Sequence, residues 1–227
     1  MRSLLRTPMM APLVRDSALV WLASGVVGVS FGAIAVAGGL PLWVPVAMSL
    51  VVYAGSAQFS AVGLLLAGGG PLAAAATGLI LNTRTAAFSL AVADVLGPGR
   101  LARLAGAHLV TDETVAFTLA QPDPARRRAA FRVNGLGLFA AWNAGVLAGA
   151  LAGTALGDTA TYGLDAAFPA VLVALVLPAL RTDRSVRRSA LLGAALALAV
   201  TPAVPAGVPV LLALAGLVVH GRKDGAE

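Results

Sequence analysis

The sequence predicts an all-α fold, a polytopic transmembrane helix bundle of seven or eight spans, and three observations predict it. Hydrophobic residues fill 59% of the 227 positions and charged residues 11%, with a mean hydropathy of +0.88, whereas about a quarter of a soluble domain is charged. The apolar residues form runs that suit a ~30 Å hydrocarbon core, which a helix crosses in about 20 residues. The 16 Lys and Arg residues outnumber the 10 Asp and Glu, but they punctuate the apolar runs. They do not gather on a water-facing patch interleaved with aromatics, so nucleic acid is not the expected partner. The expected solvent is a lipid bilayer.

The first run, 17–38, follows Arg2, Arg6 and Arg15. A secretory signal would end in a small-residue cleavage site, and this run continues past Gly38 without one, so it reads as a first span. Further runs fall at 42–67, 72–96, 104–121, 131–156, 164–180, 188–204 and 207–220. Gly55 and Ser56 interrupt the second, and Asp112 and Glu113 the fourth, so both read as broken or re-entrant elements. Four basic clusters, Arg2/Arg6/Arg15, Arg126–Arg128 with Arg132, Arg181–Arg188 and Arg222/Lys223, share one face when eight runs cross. The positive-inside rule makes that face cytoplasmic, with the N-terminus on it. Arg100 and Arg103 break the pattern, and a re-entrant second run would move them inside. Gly39-Leu40 with Pro45 recurs as Gly163-Leu164 with Pro169, which suggests two related halves, 17–121 and 131–220, within one membrane domain over 1–227.

Several chemistries are excluded as expectations. There is no cysteine, and His108 and His220 are too few and too far apart for a zinc site. No Gly-x-Ser-x-Gly, His-x-x-x-His or P-loop pattern occurs, so neither an enzyme nor a bound cofactor or metal is expected.

Polar residues inside apolar runs need a reason, because a charge at the bilayer centre costs about 2.5–3.5 kcal/mol on insertion scales. Arg84 lies in LNTRTAAFS with Asn82. It is either a structural ion-pair partner or a fixed cation whose forked guanidinium suits a substrate carboxylate. Thr111, Asp112 and Glu113 interrupt the fourth run and Asp165 opens the sixth. A carboxylate in lipid is neutralised by a proton or a cation, so these are candidates for proton coupling or an ion pair with Arg84. Gly55, Ser56 and Gln58 in YAGSAQFSA let a helix unwind and offer donors and acceptors, and the plainer reading of Gln58 is interhelical glue. Gly145, Gly149, Gly153 and Gly157 recur every four residues as a flat stripe for another helix, with Trp142 as an interfacial anchor and Asn143 beside it.

Taken in order, MSLVVYAGSAQFSAVGLLLAGG, NTR, TDETVAF, WNAG and GLDAAFPA resemble the AzlC family, the large subunit of branched-chain amino-acid exporters. The resemblance implies export of valine, leucine, isoleucine or a related small amino acid across the plasma membrane, and a small hydrophobic AzlD-type partner subunit. The matching positions are Gly55, Ser56, Gln58, Asn82, Arg84, Thr111, Asp112, Glu113, Asn143 and Asp165. On their chemistry we read Gly55, Ser56, Gln58, Asn82, Arg84 and Asn143 as substrate-site candidates, and Thr111, Asp112, Glu113 and Asp165 as coupling or ion-pair candidates. Family members often follow the arginine with His and have Tyr four residues after it. This chain has Thr85 and Phe88 there, which leaves room for a different specificity. The alternatives are a non-transporting membrane subunit that stabilises or regulates a small partner, and a passive channel.

Overall fold

The computed structural model describes residues 10–155, 173, 177, 180–204 and 208–217, and among them every regular element is helical. In chain order these are α1 (Met10–Ala37), α2 (Trp43–Val51), α3 (Gly55–Leu66), α4 (Pro71–Ala91), α5 (Arg100–His108), α6 (Asp112–Leu119), α7 (Pro124–Ala155), α8 (Arg184–Val200) and α9 (Val208–Ala213), with 3-10 turns at Thr201–Ala203 and Leu214–Leu217. Asp165, Gly157 and the Gly163-Leu164 and Pro169 signature of the repeat lie outside the described residues.

Three stretches are long and apolar enough to cross a membrane, Ser17–Ala37, Pro124–Ala155 and Arg184–Ala203. The described helices expose residues that lipid, not water, would solvate. Leu72, Leu90, Leu101 and Leu198 are each 75–84% exposed, while Gln58, Thr114, Thr118 and Asn134 are fully buried. That distribution is the reverse of a soluble surface. The protein is a membrane protein. α4, at 21 residues, has the length to span at 1.5 Å per residue, but its Asn82–Thr85 segment lowers its apolarity.

Two runs that could have been continuous spans are each two helices. The run 42–67 divides into α2 and α3 at residues 52–54, where Tyr53 takes a left-handed φ of 44°. The run 104–121 divides into α5 and α6, and here the sequence carries helix-start chemistry in mid-run. Thr111 is the N-cap of α6, its Oγ1 accepting from the Thr114 amide at 3.2 Å while the Thr114 hydroxyl accepts from the Thr111 amide at 2.7 Å. Asp112 and Glu113 then occupy the first turn, where carboxylates complement the helix dipole. With 9 and 8 residues, α5 and α6 are roughly 13 and 12 Å long, so 104–121 is not a simple span.

The described chain groups into two compact units. Met1–Gly55 with Asn82–Asp158 form one, and Ser56–Leu81 with Thr159–Glu227 the other, so the division falls inside α3 and α4. In the first unit α1 and α7 run parallel. A Cβ on Gly145 would fall on the Gly25 carbonyl oxygen, one on Gly149 on that of Val29, and one on Gly153 would sit 2.9 Å from that of Ala33. α1 reciprocates through Gly28 and Gly32, which face the backbone of Trp142 and Val146. The glycine stripe of α7 is therefore the seat of α1, as close backbone approach in a membrane requires. Trp142 is not an interfacial anchor: it is 6% exposed and stacks on Phe31 with ring centroids 6.1 Å apart. In the second unit, α8 packs through Gly193 against Ala213, and Gly216 packs back against Ser189.

Candidate functional site

The first unit gathers both helix breaks against α7. Ending α2 at Val51 leaves its last carbonyls without intrahelical donors, a serious cost in lipid. One of them, Leu50 O, lies 2.9 Å from His108 Nε2. A carbonyl only accepts, so Nε2–H donates and the last residue of α5 caps α2 from another part of the chain. Around this bond the rings of Tyr53, His108 and Phe139 are in mutual contact. Their centroids are 5.7 Å apart for Tyr53–His108, 4.9 Å for Tyr53–Phe139 and 5.7 Å for His108–Phe139. Just beyond, Ser49 Oγ donates to Asn143 Oδ1 at 2.5 Å, and Asn143 Nδ2 donates to Phe139 O at 2.8 Å. Asn143 thus ties α2 to α7. Gly55, at the start of α3, lies beside the Trp142 indole, where an added Cβ would be 3.2 Å from Cη2.

The second break carries the charges. Asn134, fully buried in α7, accepts from Trp21 Nε1 at 2.9 Å and donates through Nδ2 to the Glu113 carbonyl at 3.3 Å. It holds the first turn of α6 against α1 and α7 together. From that turn Asp112 Oδ2 meets Arg84 Nη1 at 2.8 Å, and the two side chains are 51% and 49% exposed. On α4, Thr85 Oγ1 donates to Asn82 Oδ1 at 3.2 Å. The pair has the chemistry of an exchangeable site: a guanidinium held by an internal carboxylate can take a solute carboxylate instead, and the released Asp112 then faces a cation.

The structure brings Arg84 to Asp112, sets Thr111 as the cap beneath Asp112 and Glu113, and bonds Asn82 to Thr85 and Asn143 to Ser49. Ser56 and Gln58 belong to the second unit, where Gln58 is buried on α3 together with Phe59 and Val62. Sequence reasoning missed Ser49, Tyr53, His108, Asn134 and Phe139. His108 and Asn134 carried a usable signal, since any polar side chain inside an apolar run requires an explanation. No group of side chains suited to hold a metal ion occurs among the described residues.

No curated protein and no solved structure matches the chain. The family model described as AzlC protein matches residues 20–156, from α1 through α7 and with both helix breaks inside it, and on that match the chain belongs to the AzlC family.

Proposed function

We propose that this chain is the large subunit of a secondary transporter that exports branched-chain or related small aliphatic amino acids. The observation that carries the reading is the Arg84–Asp112 pair at the capped start of α6. Helices that break within the membrane, with charged groups at the breaks, suit a site that holds a solute part-way across. In the proposed cycle Arg84, with Asn82 alongside, receives the substrate carboxylate in place of Asp112. Asp112 or Glu113 then receives the ammonium group or a coupling proton. Gly55 and Asn143 complete the polar rim in the first unit, Ser56 and Gln58 remain substrate-site candidates from the sequence, and Asp165 is a further coupling candidate. Ala, Leu and Val side chains take the aliphatic part of the solute. Energy comes from an ion gradient, and the chain is not an enzyme. It works in the plasma membrane beside a small hydrophobic AzlD-type subunit.

Counterflow of labelled leucine or valine in proteoliposomes holding this chain and its small partner tests the reading. Saturable exchange is expected in wild type and is lost in Arg84→Ala and Asp112→Asn protein that remains folded. Wild-type protein that exchanges no aliphatic amino acid would refute the substrate. Exchange that persists without saturation would favour a passive channel.

A further inference from the structure

The register of four helices on α7 fixes more of the threading than helix length does. α1 runs parallel to α7, Gly25, Val29 and Ala33 climbing in step with Gly145, Gly149 and Gly153. α2 runs the opposite way, because Ser49 reaches Asn143 and Tyr53, four residues later, reaches Phe139. The second half of α4 also runs opposite to α7. Arg84 meets Asp112 near the level of Asn134, Phe88 joins the buried cluster around Phe131, and Asp94 Oδ1 accepts from Arg127 Nη2 at 3.2 Å. Residues 43–51 and 82–94 therefore both descend toward the arginine-bearing end of α7.

The run 100–121 enters and leaves at one end of α7. Arg103 Nη2 donates to Ala93 O at 3.5 Å, beside the Asp94–Arg127 pair, so α5 starts at the arginine end of α7. Its tip reaches Gly135 through Leu109 and Phe139 through His108. α6 then leads back to Asp123, whose Oδ1 caps α7 by accepting from the Ala125 and Arg126 amides at 3.1 and 2.9 Å. From Arg127 to Phe139 is roughly 18 Å along the helix, about the middle of its buried length.

We propose that 100–121 is a re-entrant hairpin that enters the membrane from the arginine-bearing face. Its tip meets the end of α2 where His108 donates to Leu50 O, and the hairpin closes the site toward the face it enters from. Arg100 and Arg103 then join Arg126–Arg128 on one face, which removes the exception to the positive-inside rule. The contact has a physical reason: ending α2 frees carbonyls that lipid cannot satisfy, and the hairpin tip donates to one of them. The threading stands on geometry alone, and the gating role rests on the transport reading.

The chain has no cysteine, so single cysteines report topology directly. Gly99 has open space where a side chain would go, and Gly99→Cys, Pro122→Cys and Pro41→Cys would be probed with an impermeant maleimide in intact cells and in inverted vesicles. Gly99→Cys should react from the same face as Pro122→Cys, and Pro41→Cys from the other. Reaction of Gly99→Cys from the face opposite Pro122→Cys is what a crossing at 100–121 would give, and it would overturn the proposal. For the gate, saturating leucine should change labelling at the tip, Leu109→Cys, by about threefold or more while Gly99→Cys stays constant. An unchanged tip in a variant that still exchanges leucine would refute the gating role. Labelling needs no transport, so absent counterflow in wild type would remove the gate but leave the threading.

Discussion

Substituting Gly149 tests the central packing directly. Its missing Cβ is where the Val29 carbonyl of α1 sits, and Val29 Cα lies 2.8 Å from that point. An alanine there must push α1 and α7 apart, because backbone atoms cannot rotate away as a flexible side chain can. Overpacking of this kind costs about 1–3 kcal/mol. The upper half is expected, since separating two parallel helices also loosens the contacts at Gly145 and Gly153 and loses dispersion that no lipid-driven association replaces. Gly145→Ala added to Gly149→Ala should cost less than the sum, because one separation relieves both clashes. The assay is reversible unfolding in mixed micelles followed by tryptophan fluorescence, which Trp142 reports from inside the interface. Gly99→Ala, whose Cβ meets nothing within 4 Å and which loses only the N-cap glycine of α5, should cost no more than about 1 kcal/mol. A Gly149→Ala protein as stable as Gly99→Ala would show that α1 and α7 do not pack in this register.

The remaining predictions separate structure from activity. Arg84→Ala and Asp112→Asn should lower stability by less than about 1 kcal/mol, since the pair is half exposed and such pairs are weak, yet lower leucine counterflow at least tenfold. A matching loss of stability and flux would make the pair purely structural. Asn134→Leu should cost about 2–4 kcal/mol by leaving Trp21 Nε1 and the Glu113 carbonyl without their partner, read from the same micelle titration. Thr111→Val removes the α6 cap and should cost about 1 kcal/mol, while Thr111→Ser retains most of it.

Much of this architecture was legible in the sequence for reasons that can be named residue by residue. A four-residue glycine repeat allows only a flat helix face, so Gly145, Gly149 and Gly153 announced a close neighbour, and Gly28 and Gly32 could have named α1 as that neighbour. Thr111-Asp112-Glu113 is a helix start wherever it occurs, which is why 104–121 could be read as interrupted. The direction of the run 100–121 was not legible. Composition does not distinguish a helix that breaks and continues from one that breaks and returns, and it is the contacts of Arg103 with Ala93 and of His108 with Phe139 that point to a return. Trp142 misled for a related reason, since an indole suits both an interface and a tight interior against Phe31.

The same contacts explain why so few polar residues suffice. Each break inside the bilayer exposes backbone that must be satisfied before any solute can be handled. His108 caps α2, Thr111 caps α6, and Asn134 and Asn143 tie those helices to α7. With four side chains committed to capping and tethering, the charged pair of the junction is available for the exchange proposed above. Arg84 and Asp112 are half exposed, whereas Asn134, which tethers α6, is fully buried. A pair retained only for stability is often bettered by apolar residues of similar size. Its place at the capped end of a short, separately tethered helix suits the proposed exchange with a solute carboxylate, because other residues hold the break that presents it.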